Sequence, residues 1–212
     1  MRAPQKDNNT YADKVMLRRT ALSLLHDAPV IMETHGGLGD VYAAVYAHVT
    51  KGVVFEKDPS RTVQLALQRP SWSVYEADCN KAIAAGVGSH LTFNYLDIDP
   101  YGSIWPTVEA FFGSKRPFAH RMVVVVNDGL RRSMGSSGGW KIHVLAPYVQ
   151  KIGDHNVYNA YLEISEDLLK NFATQQHYTV TFFDGYHTGT LSRMTHWVAV
   201  LENDCLSDLR QG

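Results

Sequence analysis

Along the chain, short apolar runs alternate with segments whose apolar residues recur every three to four positions. That alternation predicts helices layered on a sheet. A leading helix is expected over Thr10–His26, where Tyr11, Val15, Leu17, Ala21, Leu24 and Leu25 recur at helical spacing behind the polar residues Asp7–Asn9. Strands are then expected at Pro29–Thr34, Gly52–Glu56, Trp72–Glu76, Leu91–Ile98 and Met122–Val126, separated by helices at Gly39–Val49, Ser60–Leu67, Cys79–Ala85 and Ile104–Phe112. The run MVVVV at 122–126 is apolar at every position, as a parallel strand covered on both faces must be. Asn127–Asn156, with Gly135, Gly138, Gly139 and Gly153, is read as a long irregular stretch, followed by a helix at Tyr158–Thr174. The last two strands, His177–Phe183 and Thr195–Leu201, flank Asp184–Met194, which has no helical pattern. A parallel crossover needs about a dozen residues, usually helical, so these strands should pair antiparallel.

Composition narrows the function classes. The 212 residues are 45% hydrophobic, with 20 basic and 21 acidic side chains and a net charge of −1, which suits one globular domain and excludes a disordered charged tail. A broad phosphate-binding surface usually carries a basic excess, so any nucleic-acid contact has to be local. Cys79 and Cys205 form no C-x-x-C pair and no disulfide framework, and no segment has the apolar length of a signal peptide or a membrane span. A reducing, cytoplasmic setting is therefore expected. The ten histidines are dispersed. His35, His187 and His196 lack metal-ligand spacing, and no metal is expected.

Candidate chemistry gathers at the strand ends, where open parallel sheets bind ligands. The first strand runs into Glu33-Thr34-His35-Gly36-Gly37-Leu38-Gly39-Asp40, a turn in which glycines admit close backbone approach and the start of a helix favours negative charge. The second strand ends at Glu56, placed to accept hydrogen bonds from a ribose diol, and Asp78 after the third is placed to accept one from an adenine amino group. Any one of these is also ordinary loop or cap chemistry; three strand ends in register point to an adenosine ligand. Tyr42 stands where a nicotinamide-binding G-x-G-x-x-G/A turn needs a small residue, and no G-x-x-x-x-G-K-[ST] loop is present, so a pyrophosphate-bearing cofactor is disfavoured.

On these residues and the terminal hairpin, the chain from Pro29 onward resembles the class I S-adenosylmethionine-dependent methyltransferases. The resemblance implies S-adenosylmethionine as cofactor, Glu33 and Gly37 near its methionine part with Gly36 and Gly39 in the same turn, Glu56 on the ribose and Asp78 on the adenine. His35 departs from the pattern, standing in place of the family's first glycine. The implied fold is α/β: a Rossmann-like three-layer sandwich with a mostly parallel seven-stranded sheet and an antiparallel C-terminal strand, residues 1–28 forming an N-terminal helical extension and 29–212 the methyltransferase domain.

The fourth strand ends in Asp97-Ile98-Asp99-Pro100-Tyr101-Gly102-Ser103. This is similar to the [DNS]-P-P-[YF] motif of amino-methyltransferases without its second proline, and closer to the D-P-F-G-S motif of the tRNA guanine-N2 dimethyltransferases, whose aspartate is catalytic. An exocyclic amine on a nucleobase is a poor nucleophile because its lone pair is delocalised. The Asp99 carboxylate and the Pro100 carbonyl are suited to accept its N–H bonds, and Tyr101 to stack on the base. The alternative is a β-turn closing a buried strand. Asp97 is expected to point away from Asp99 and to be structural. Asn127-Asp128-Gly129 either lines the substrate side or is a turn. Arg131, Arg132 and Lys141, with Trp140 and the sequence neighbours Lys115, Arg116 and Arg121, could form a local basic rim for a nucleic-acid backbone. The expected activity is methyl transfer to an exocyclic base amine, with RNA ahead of DNA and tRNA guanine as one candidate. The alternatives are a non-catalytic methyltransferase-fold subunit supporting a partner and a small-molecule methyltransferase.

Overall fold

The computed structural model describes residues 10–137 and 142–203, the side chains of 135–137 excepted. The valine run lies inside β5 (Phe118–Asp128), where Met122, Val124 and Val126 enter one core cluster while Val123 and Val125 enter another on the opposite face. That strand is apolar throughout because helices cover both sides. The other strands of its sheet are β1 (Val30–Glu33), β2 (Lys51–Glu56), β3 (Ser73–Glu76), β4 (Phe93–Ile98), β6 (Tyr178–Thr188) and β7 (Met194–Asn203). The sheet order is β3-β2-β1-β4-β5-β7-β6, with β7 antiparallel to both of its partners and the pairs of β1 to β5 all parallel. This is the expected Rossmann-like architecture with a single reversed strand.

One face is covered by α1 (Tyr11–Ser23), a π-helix (Tyr42–Tyr46) and α2 (Pro59–Gln68), whose Leu17, Ala21, Tyr46 and Leu65 pack with Ile31, Val54 and Tyr95. The other face takes α3 (Cys79–Ala84), α4 (Trp105–Gly113) and α8 (Tyr161–Thr174). Helix α1 is thus built into the core of the domain that follows it. No described helix is long and apolar enough to cross a membrane.

Two expectations need correction. The stretch Asn127–Asn156 contains α5 (Leu130–Ser137), α6 (Ala146–Ile152), the first half of α7 (Asp154–Asn159) and a 3₁₀ turn at His143–Leu145. Its glycines concealed a sparse buried set, Leu130, Met134 and Leu145, which with Val157 just beyond it anchors these short helices to the core. The helix expected over Gly39–Val49 is a π-helix of five residues. Tyr42 and Tyr46 fill the space between it and the sheet, Tyr42 meeting Trp72 edge-on at 5.2 Å, and the widened turn accommodates side chains too large for close helix packing.

Candidate active site

Strand β1 pairs with β2 on one side and β4 on the other, so the winding direction reverses between β1 and β4. A cleft opens beyond the carboxyl ends of such strands. Here Glu33 is paired in register with Asp97, and the turns carrying the candidate residues lie side by side.

On the β1 side, Gly36 packs where a Cβ would stand 2.5 Å from Leu65 and 2.7 Å from Val54. Gly37 and Gly39 adopt φ of +56° and +83°, which side chains rarely tolerate. A Cβ on Gly37 would meet nothing within 4 Å, so this part of the turn faces open space. The Gly37 amide donates to Glu56 Oε2 at 2.9 Å, while Glu56 Oε1 accepts from the Lys57 and Asp58 amides at 2.9 and 3.0 Å. Glu56 and the glycine turn are therefore brought together. Asp78 is exposed and caps α3, accepting from the Lys81 amide at 3.2 Å.

Glu33 stands differently from the expectation. Its buried carboxylate is paired with Arg69, whose guanidinium also lies 4.2 Å over the Tyr42 ring. Burial raises the Glu33 pKa to about 7 against the opposing charge of Arg69. A ligand could use this carboxylate only by opening that ion pair. His35 is held beside the turn. The Thr34 hydroxyl donates to the Asp97 carbonyl at 3.0 Å, leaving its oxygen to accept from His35 Nδ1 at 2.8 Å, and Nε2 faces Cys79 Sγ at 3.4 Å. Burial lowers the His35 pKa and keeps the ring neutral.

At the β4 end, Asp97 and Asp99 share one face, which corrects the expectation that they diverge. Strand side chains alternate with period two, so positions two apart point the same way. Arg18 spans both: Nη2 lies 2.5 Å from Asp97 Oδ1 and 3.6 Å from Asp99 Oδ2, and Nε donates to Asp97 Oδ2 at 2.7 Å. Tyr46 Oη adds a hydrogen bond to Asp97 at 2.8 Å. One turn earlier on α1, Lys14 Nζ donates to both oxygens of Asp99 at 2.8 Å. Burial works to raise the Asp99 pKa, but the charges of Lys14 and Arg18 outweigh it and hold the carboxyl below its usual range. Asp99 is thus an ionised acceptor already holding an amine nitrogen.

The Asp99–Ser103 loop leans on Gly129, whose amide donates to the Gly102 carbonyl at 3.1 Å. A Cβ on Gly129 would stand 2.8 Å from the Tyr101 carbonyl oxygen, so only glycine permits this approach. Tyr101 is 80% exposed. Asp128 accepts hydrogen bonds from Tyr161 Oη and, at 2.8 Å, from the Leu130 amide; burial raises its pKa to about 7. It supports the fold below the loop.

The expected basic rim is dispersed. Arg131 is buried, with its guanidinium 4.1 Å over the Tyr158 ring. Arg132 is exposed on α5, and Lys141 lies outside the described residues. Arg116 precedes β5 and Arg121 lies in its first half, away from the Asp128 end that leads to Arg131. Arg116 is buried on the Ile83 carbonyl, and Arg121 is paired with Glu202. Among the described residues no group of His, Cys, Asp or Glu is arranged to hold a metal ion. Lys14, Arg18 and Arg69 were not singled out by the sequence reading; the one available signal was the four-residue spacing of Lys14 and Arg18, which puts them on one helix face.

No protein-family model and no curated protein matches the sequence. Solved structures do. Trm1 from Pyrococcus horikoshii with S-adenosyl-L-methionine has a TM-score of 0.60 at 12% identity over 91% of this chain, which spans only 55% of that one. The N-methyltransferase NodS from Bradyrhizobium japonicum with S-adenosyl-L-homocysteine has a TM-score of 0.57 at 10% identity, covering 94% and 90% of the two chains. TYW2 from M. jannaschii with AdoMet has a TM-score of 0.55 at 13% identity, covering 90% and 76%. At these identities the likeness is one of architecture, and the chain has the fold these methyltransferases share.

Proposed function

We propose that the protein is an S-adenosylmethionine-dependent N-methyltransferase whose acceptor is an exocyclic amine of a nucleobase, RNA ahead of DNA. The observation that carries this reading is the pairing of both Asp99 oxygens with the Lys14 amine nitrogen, in a motif loop beside a glycine turn open to a ligand. Trm1, NodS and TYW2 were solved with S-adenosylmethionine or S-adenosylhomocysteine, and NodS, an N-methyltransferase, favours an amine-directed reading.

The residues present fit the cofactor. Gly37 and Glu56 would hold its ribose side and Asp78 its adenine, while Glu33 serves through the Arg69 pair that shapes the turn. Bound there, the cofactor supplies an electrophilic methyl group on a sulfonium. The chain's own contribution lies at Asp99. An acceptor amine displaces Lys14, its N–H bonds pass to Asp99 and the Pro100 carbonyl, and the lone pair is localised on nitrogen. The ionised carboxylate then stabilises the positive charge that develops on that nitrogen and stands ready to receive its proton. Tyr101 covers one face of the acceptor ring.

A second reading, a small-molecule amine as acceptor, is favoured by the burial of Arg131 and by the cover that α1 places on Asp99, whose side chain is only 20% exposed. One experiment separates the two. Labelled S-adenosylmethionine is incubated with transcribed tRNA, single-stranded DNA, duplex DNA and a panel of small amines, and the methylated product is identified. Transfer to a nucleobase amine supports the first reading, and transfer confined to small amines supports the second. Transfer to oxygen or carbon overturns both.

Cofactor binding has its own expected result. Hydrogen bonds to a charged group contribute about 1.5–3 kcal/mol, so Glu56→Ala should weaken S-adenosylmethionine binding about tenfold to a hundredfold in isothermal titration, with the circular dichroism spectrum retained. Unchanged affinity would remove Glu56 from the cofactor site.

A further inference from the structure

Strand pairing sets three polar side chains in a row beside Asp99. Asn127 on β5 stands opposite His196 on β7, and His196 stands opposite Tyr186 on β6. The last paired residues of β4 and β5 are Ile98 and Val126, so Asp99 and Asn127 continue the same row. All share the α1 face, because Val123 and Val125, two and four positions before Asn127, and Val198 and Val200, two and four after His196, pack in the α1-side cluster.

This row is unfinished. Asn127 and His196 are both 0% exposed, yet neither ring nitrogen of His196 nor the buried Tyr186 hydroxyl completes a hydrogen bond, and the Asn127 amide makes none of full geometry, although it faces the Asp99 carboxylate and favours its ionised form. Buried polar groups are ordinarily satisfied, and an unsatisfied cluster calls for a specific cause. Phenylalanine or leucine would fill the same space and pack on the neighbouring valines without leaving polar atoms bare. Burial lowers the His196 pKa to about 4, so its ring is neutral and offers one donor and one acceptor. Asn127 offers the same pair in planar form.

We propose that Asn127 and His196 form the hydrogen-bonding wall of the acceptor pocket, reading the donor and acceptor atoms of a planar heterocyclic edge next to the amine held by Asp99. The inference rests on the N-methyltransferase reading above and goes further: it assigns recognition of the acceptor's ring to two residues outside the motif loop. Lys14 and the first turns of α1 close this wall off, so the pocket becomes available as Lys14 yields Asp99 to the entering amine. A substrate bearing ring nitrogen and carbonyl oxygen beside its amine satisfies the wall; an alkylamine leaves it bare.

The test compares His196→Phe and Asn127→Leu with the wild type in two measurements. Methyl transfer from labelled S-adenosylmethionine is followed on oligonucleotides that each offer a single guanine, adenine or cytosine. A site built around hydrogen bonds discriminates strongly against loss of either partner, so kcat/KM on the preferred base should fall about tenfold to a hundredfold, with the preference among bases flattened and cofactor affinity within twofold. Thermal unfolding should move the other way. Replacing an unsatisfied buried polar group by an apolar one of similar shape is neutral or stabilising, so the melting temperature should hold or rise. A lower melting temperature with normal transfer would make the two residues part of the fold and overturn the proposal. Normal transfer with unaltered base preference would overturn it as well, leaving the N-methyltransferase reading intact. A wild-type protein that methylates none of the oligonucleotides and only alkylamines overturns the nucleobase reading and this wall together.

Discussion

Asp99→Asn slows methyl transfer about a hundredfold to a thousandfold while S-adenosylmethionine affinity changes by no more than a few-fold. The size follows from the loss of one preorganised charge aimed at a developing charge, which costs about 3–4 kcal/mol in the barrier. The selectivity follows from placement. Asp99 lies on the β4 loop with Lys14 and Arg18, whereas Glu56 and Gly37, the pair assigned to the cofactor, belong to the turns after β2 and β1. Interactions made mainly in the transition state lower kcat and kcat/KM together, and that is the pattern single-turnover and steady-state rates should give. Asparagine keeps the shape and one acceptor oxygen, so the loop has no steric reason to move. A folded Asp99→Asn protein with near-normal rate would return the motif to the role of a turn.

The second large effect is on stability. Arg18→Met should lower the melting temperature by about 6–20 °C. Arg18 is 1% exposed and spans two carboxylates, and removing one partner of a buried pair costs about 3–5 kcal/mol because it strands the other charge. Arg18→Met combined with Asp97→Leu should recover much of the loss, since apolar side chains of similar volume replace buried ion pairs at little cost. Calorimetry on both proteins checks this. A double variant no more stable than Arg18→Met would show that the strand end needs Asp97 itself, through Tyr46 and its other partners.

What the sequence disclosed was what local pattern controls. The valine run announced a strand covered on both faces. The interval after Phe183, too short for a helical crossover, announced the reversed strand. Gly37 and Glu56, 19 positions apart, were read as parts of one site from strand-end spacing, and they are hydrogen-bonded. The hidden part depends on contacts between distant segments. Lys14 and Asp99 are 85 positions apart, Arg18 and Asp97 79, and Arg69 and Glu33 36. Helical periodicity tells which side of α1 is buried, but not which strand end its cationic heads will reach. For the same reason Arg131 was read as a rim charge when the aromatic face of Tyr158 had already claimed it. The unfinished state of His196 is invisible in sequence, since a histidine on a strand declares nothing about its neighbours' atoms.

Strand β7 enters the sheet between β5 and β6 although it follows both in the chain. Until residues 194–203 have left the ribosome, the valine-rich β5 remains an edge strand with unpaired backbone groups and a ready surface for another chain. His196 lies on β7, so it meets Asn127 only once β7 has paired with β5. Completion of the proposed acceptor wall and sealing of the valine-rich edge are thus one event, and a newborn chain is both sticky and without that wall until β7 has paired.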